Sequence, residues 1–412
     1  MAAEKPAPVK EFWPKDHFRK PLMETPFHDR IAALMRTGTW YGWGGYTVAS
    51  VIEDKEVEYF AIRNAATLFD ISPMVKYRIS GPDAEAYLNR LTLRDVAGLA
   101  VGRVHYTAWC DDDGKVLDDG TLFRLSDWEF RLCCQERHLP WLLDSTPGFE
   151  VAVEEVTHRI AGLALQGPTS YSVLRRAGFA DVETLVPFEM RNFSLPGANG
   201  VEVLISRTGF TGDLGYELFV PSDQATALWD VLWKAGRLHG LCATGFAAVD
   251  IARIEAGFIM ARSDFIPSEH AVRENRRRSP FEIGLDWMVN FGKGHFNGRR
   301  ALEEEKRRKS SRYVLVGLEI DGNEPAPNAI VYHGKTRRIG VISAAAWSPT
   351  AKRNIAIASL ERPYGVRKTD DLWVEIYAMH ELQYTKLMMR ALVVERPFLK
   401  LDRRRATPPA AF

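Results

Sequence analysis

Apolar and polar residues alternate with a period of two over residues 74–79, 104–110, 121–125 and 130–134, and this pattern predicts β-strands. The Asp/Gly-rich stretch at 111–115 reads as a turn between two of them. The pair Asp118-Asp119 then belongs to a sheet edge rather than to a floppy loop. Further strands are predicted at 158–165, 201–206 and 216–220. Helical spacing appears at 26–35, 56–67, 169–176 and 245–256, and most clearly at 224–239, where Ala225, Leu228, Trp229, Leu232 and Trp233 share one face. Gly81-Pro-Asp-Ala opens a helix running to Leu91, and Gly257 closes the one before it. Residues 40–46 read as an aromatic, glycine-rich turn.

Beyond the charged stretch at 303–312 the pattern changes to short period-two strands at 313–319, 329–333, 338–343, 355–360 and 372–376. That shift predicts a separate C-terminal β-domain, a small barrel. The domain reading is an N-terminal extension over 1–24, an α/β region of two interleaved lobes over 25–302, a barrel over 303–395 and a tail over 396–412.

Composition narrows the function classes. A chain of 412 residues is too long for one ordinary core. With 54 Lys plus Arg against 53 Asp plus Glu, no global field favours nucleic acid or an anionic membrane. No run of eighteen apolar residues occurs, which argues against a membrane-spanning helix, and the first residues lack an apolar signal core. Cys110, Cys133, Cys134 and Cys242 form no Cys-x-x-Cys pair, so reduced thiols in a cytoplasmic protein are the simplest account.

Two acidic points carry the candidate chemistry. Asp118 and Asp119 alternate across a strand, so only one can face a pocket, and the local pattern does not choose between them. Glu217 follows the glycines at 209, 212 and 215, which would let the backbone approach a flat ring closely. A carboxylate there can accept two parallel hydrogen bonds from the N–H and amino groups of a pterin-like ring. The aromatics Trp40, Tyr41, Trp43, Tyr46, Tyr106 and Trp109 form a core cluster by default, or could hold a flat ring or a methylated cation. His105, His158, His270 and His295 fall in no metal-binding spacing.

Several blocks resemble, in order, the aminomethyltransferase family, that is the T-protein of glycine cleavage and its tetrahydrofolate-dependent demethylase relatives. They are Glu58-Tyr-Phe-Ala-Ile-Arg-Asn-Ala-Ala-Thr-Leu-Phe-Asp-Ile-Ser-Pro-Met74, Gly102-Arg-Val-His-Tyr-Thr107, Ala164-Leu-Gln-Gly-Pro168 and Arg207-Thr-Gly-Phe-Thr-Gly-Asp-Leu-Gly-Tyr-Glu217. Asp250 to Gly257, Ser279 to Trp287, Phe296 to Leu302 and Ser348-Pro-Thr350 complete the series.

The resemblance implies a three-lobed α/β fold around a folate-binding opening, with a C-terminal β-barrel. By it, the first acid of the pair, Asp118, sits beside the folate and the transferred carbon, with Tyr106 at the same cavity. Glu217 grips the pterin, with Arg207 and Tyr216 as further folate contacts. Trp43, Tyr46, Trp109, Gln135 and Arg253 fall on the donor side, Arg253 and Arg262 being weaker choices for a donor carboxylate.

Departures from the glycine-cleavage pattern cluster on that side. Ser72-Pro73-Met74 replaces Ser-His-Met, Cys133-Cys134-Gln135 stands where a Val-Asn run is usual, and Asp213 replaces a glutamate. The implied activity is therefore movement of a methyl group from a small O-, N- or S-methylated substrate to tetrahydrofolate. Aminomethyl transfer, or folate binding without turnover, are the alternatives. No nucleic-acid or membrane partner is expected, and the oligomeric state is not indicated.

Overall fold

The protein is described by a computed structural model covering residues 22–367, 370–407 and 409. Its scaffold is a mixed sheet, an antiparallel sheet and a closed barrel. One sheet has six strands in the order Met190–Ser194, Glu202–Ser206, Gly215–Pro221, Ile160–Gln166, Ala66–Asp70 and Leu241–Ala243. The other has five, in the order Val104–Cys110, Val116–Arg124, Glu129–Cys134, Val75–Ser80 and Ala152–Glu155. A small three-stranded sheet carries the aromatic hairpin Thr39–Trp43 and Tyr46–Val51. The barrel closes through six strands between Tyr313 and Val394. The α/β fold with a C-terminal barrel is therefore present.

Local chemistry explains most elements. Asp54 caps the helix Lys55–Asn64 by accepting a 2.9 Å hydrogen bond from the Val57 N–H. Gly178, at φ 100°, ends the helix Ser170–Ala177 in the left-handed conformation that glycine tolerates. The helix Ala225–Gly236 buries Leu228, Trp229 and Leu232 against the six-stranded sheet, and residues 237–239 tighten into a 3₁₀ turn.

Four expectations change. The helix predicted over 56–67 stops at Asn64, because Ala66–Asp70 is a strand buried at every position. Such a strand shows no alternation, so its apolar run could not be told from helix. The aromatic turn at 40–46 is a paired hairpin. The strand carrying Asp118 and Asp119 starts at Val116, and both acids pair with Val104–Cys110, the strand Glu129–Cys134 joining on the other side only from Gly120 onward. Finally, the barrel gains a sixth strand, Gln383–Val394, whose polar and apolar residues do not alternate regularly.

Glu255 joins the parts. At the end of the helix Phe246–Glu255, its carboxylate accepts hydrogen bonds from Arg63 at 2.6 Å, Tyr59 at 2.5 Å and Ser348 of the barrel at 2.5 Å. The segment after the barrel crosses back over the α/β region, where Arg403 grips Asp213 through two 2.7 Å bonds. This frame encloses a cavity of about 1630 Å³ to which both sheets and the barrel contribute walls.

Candidate functional site

The cavity takes its acids from two strands. In Val116–Arg124, neighbouring side chains must point to opposite faces. Asp119 is the one that lines the cavity; Asp118 is fully buried behind it. Tyr106, on the adjacent strand, donates a 2.5 Å hydrogen bond to Asp119 Oδ2. Asp119 Oδ1 has no protein partner among the described residues. Burial, reinforced by the charge of Asp118, raises the Asp119 carboxyl to about 8 against the opposing pull of Tyr106, so it holds its proton at neutral pH. Burial and the same acids push the Tyr106 phenol well up, which keeps it a donor.

Asp118 faces an interior network. Its Oδ2 accepts from the Glu136 N–H at 3.0 Å and lies 3.1 Å from His138 Nε2, while Oδ1 accepts from the Asp119 N–H at 2.9 Å. His138 Nδ1 is 2.9 Å from Glu269. Burial alone would lower the imidazole, but Asp118 and Glu269 outweigh it and raise it to about 9. The assignment of the cavity-facing acid to Asp118 therefore moves one residue along, to Asp119. The two-residue period decides it once the register is known: Asp118 pairs with Trp109, and both lie on the far face.

Glu217 lines the cavity, and its Oε2 accepts a 2.6 Å hydrogen bond from Thr208. Oε1 is left without a protein partner among the described residues. Burial raises its carboxyl above the ordinary range. The preceding loop is held by Gln166, which donates to the carbonyls of Thr208 and Tyr216 and accepts from Thr211 Oγ1 at 3.0 Å. A Cβ at Gly209 or Gly215 would stand 2.0 or 2.2 Å from Gln166 Oε1, so these two glycines are demanded by the close approach of the amide.

Of the other predicted residues, Tyr106, Trp43, Gln135 and Arg207 line the cavity, with Trp43 stacked on Phe69 at 6.3 Å. The Arg207 guanidinium is occupied by the crossing C-terminal segment, through Thr407 Oγ1 and the Ala406 carbonyl. Five residues fall outside the lining. Tyr216 points to the opposite face of its strand from Glu217, into the core beneath the six-stranded sheet. Tyr46 is buried in an aromatic cluster, and Trp109 packs edge-on against His138 at 5.7 Å. Arg253 is fully buried and held by Asp250 and Asp264. Arg262 also lies outside, in a two-pronged bond with Glu136.

Sequence reasoning missed Asp119 as the cavity-facing member of its pair. It also passed over His138, and the stacked pair Phe210–Phe258, 5.8 Å apart on the wall. His138 had a faint signal in its position, shortly after the strand that neighbours the acids. Among the described residues, no group of three His, Cys, Asp or Glu gathers for a metal, and no helix is long and apolar enough to cross a membrane.

Charge on the wall is uneven. Arg94, Arg103, Arg207, Arg396, Arg404 and Arg405 all line the cavity, and none has a carboxylate within ion-pair distance among the described residues. A large apolar space with two half-satisfied acids and a set of unneutralised guanidiniums suits a flat, donor-rich ring bearing an anionic tail.

Comparison with known proteins agrees with this geometry. Residues 26–293 match the GCVT N-terminal domain, and residues 314–400 match the glycine cleavage T-protein C-terminal barrel domain. The chain belongs to the glycine cleavage T-protein family. Relatives of this T-protein family member include an aminomethyltransferase of Halothermothrix orenii, 34% identical over 82% of this chain and 90% of the relative. Another aminomethyltransferase, of Caldanaerobacter subterraneus subsp. tengcongensis, is 30% identical over 87% and 91%. The trimethylamine-oxide aldolase of Ruegeria pomeroyi is 33% identical over 83% of this chain but only 43% of its own length. Among solved structures, the glycine cleavage aminomethyltransferase of Bartonella henselae superposes with a TM-score of 0.79. It is 25% identical, over 92% of this chain and 98% of that one. Members of this family are folate-dependent enzymes.

Proposed function

We propose that this protein transfers a methyl group from a small O-, N- or S-methylated substrate to tetrahydrofolate. The observation that carries the reading is the pair of half-satisfied acids, Asp119 and Glu217, on the wall of one cavity. The residues present fit the reduced folate. Glu217 Oε1 is free to accept from the ring's N–H groups, Tyr41, Trp43 and Phe210 offer flat apolar surface, and Arg404 and Arg405 offer charge to the glutamate tail. Tetrahydrofolate supplies a nucleophilic ring nitrogen that accepts the carbon.

Asp119 then has a defined task. Holding a proton near neutrality, it can donate to the departing oxygen, nitrogen or sulfur as the carbon leaves. The resulting carboxylate takes up the proton lost from the acceptor nitrogen, so protons balance over the cycle. Tyr106 orients Oδ2 and stabilises the transient anion. The apolar walls keep water from the reacting centre, and the enclosing sheets and barrel align the two substrates.

A screen of methylated donors with tetrahydrofolate tests the reading. Mass detection of 5-methyltetrahydrofolate together with a demethylated product is the expected result. Methylenetetrahydrofolate with ammonia release would instead assign aminomethyl transfer, the activity named for most of the similar proteins. Failure of tetrahydrofolate to bind would refute both.

A further inference from the structure

We propose that Arg396 binds a carboxylate of the methyl donor, so that the donor is a methylated carboxylic acid. The assignment rests on the reading above and extends it to the substrate class.

A guanidinium partly withdrawn from water is ordinarily paired, because an unmatched charge loses solvation there. Three other arginines of the frame obey that rule. Arg63 meets Glu255 and Asp213, Arg253 meets Asp250 and Asp264, and Arg403 meets Asp213. Arg396 does not. Among the described residues its only hydrogen bonds are two long ones of 3.4 Å, to the carbonyls of Gly257 and Leu315. Burial accordingly pulls its affinity for the proton down.

The backbone is shaped around this side chain. Gly257 and Gly284 both adopt positive φ. A Cβ at Gly257 would stand 2.9 Å from Arg396 Cβ, and one at Gly284 would stand 2.8 Å from Arg396 Nη2. The side chain thus lies against two glycines where side chains would crowd it, and Arg396, both glycines and their neighbours Phe258 and Leu285 all line the cavity.

Position separates it from the arginines suited to an anionic tail. The groups whose charge reaches Arg396 are Asp264 and Tyr106, which places it at the Asp119 end, where the carbon would move. Arg103 and Arg404 instead cluster about Arg207 and Pro187, near Thr208 and Glu217. The other arginine beside Tyr106, Arg94, is turned onto the Trp287 ring at 5.5 Å and donates to the Tyr106 carbonyl. An apolar donor body carrying one carboxylate matches this end of the cavity.

The deciding experiment uses matched donors, each methylated skeleton offered as the carboxylate and as its carboxamide, titrated calorimetrically into the protein saturated with tetrahydrofolate. The carboxylate should bind about 10- to 100-fold more tightly. Arg396→Gln should erase that gap, and Arg396→Lys should restore part of it. Affinities for tetrahydrofolate and for tetrahydropteroate, which lacks the glutamate, should not change. Equal binding of acid and amide to the unaltered protein would overturn the assignment, whether or not the variants fold. A variant that instead narrows the gap between tetrahydrofolate and tetrahydropteroate would give Arg396 to the folate tail and overturn it equally. If tetrahydrofolate itself fails to bind, the functional reading falls and this assignment falls with it.

Discussion

Asp118 and Asp119 are consecutive in one strand, yet Asp118 lies 3.1 Å from His138 in the interior while Asp119 takes a 2.5 Å hydrogen bond from Tyr106 on the cavity wall. One acid is matched by a buried cation; the other is kept neutral by burial beside a charged neighbour. The two substitutions should therefore fail differently. Asp119→Asn should lower turnover about 10²- to 10⁴-fold while leaving the tetrahydrofolate Kd within a few-fold, since it removes the proton carrier and little volume. Asp118→Asn should first lower thermal stability, because it strands His138. Steady-state kinetics and melting curves on both variants check this. Equal loss of turnover with no difference in stability would contradict the division of labour.

Much of this arrangement was legible beforehand, for identifiable reasons. The barrel strand Arg337–Ser348 largely alternates buried and more open positions because one face lies in the barrel core and the other outward, whereas Val104–Cys110, buried at nearly every position, was legible from its residue types alone. Glu217 was legible because glycines announce a close approach. The Asp119 assignment was not, since a one-residue change in register exchanges the faces of every side chain in a strand. Tyr46, Trp109 and Tyr216 failed for a related reason: an aromatic residue serves a core as well as a pocket, and only packing tells which. Arg253 could not be judged without knowing that Asp264 folds back onto it.

Tyr106→Phe should shift a pH profile rather than abolish activity. The phenol donates to Asp119 and holds its pKa down against burial, so its removal raises that pKa further above about 8. Turnover that requires the protonated acid then persists to higher pH, with a reduced plateau of about 10-fold from lost orientation. The alkaline limb of kcat is the measurement, and an unmoved or lowered limb would show that Tyr106 does not act through Asp119.

Glu217→Gln should act on binding. The carboxylate oxygen left free by Thr208 is the one offered to ring N–H donors, and an amide accepts only through its single oxygen. Loss of a charge-assisted hydrogen bond costs about 1.5–3 kcal/mol, which corresponds to about 10- to 100-fold in Kd for tetrahydrofolate. Thr208→Ala should give a smaller loss by freeing the carboxylate to turn. Calorimetry with tetrahydrofolate distinguishes these, and an unchanged affinity in Glu217→Gln would remove this residue from the ring's binding site.

His138 should make stability fall as pH rises. Burial opposes its charge, but Asp118 and Glu269 raise it from 6.5 to about 9 in the folded protein. A group raised above its unfolded value stabilises fully below that value and loses the contribution as pH climbs through the folded one. The window is therefore roughly pH 6.5 to 9, and the contribution is on the order of 3 kcal/mol at most. Asp119, raised from 3.8 to about 8, works in the same direction, with its contribution complete only below its unfolded value and gone above about pH 8. Burial lowers Lys76 to about 8 and Lys293 to about 7, and these two act in the opposite direction, so the share of His138 is read from the difference between wild type and variant. In His138→Gln the starting stability should be lower, and across this window its melting temperature should fall less, or rise more, than that of the wild type. Parallel pH slopes in the two proteins would mean that His138 is not charged in the folded state, and that Asp118 is balanced by something other than its imidazolium.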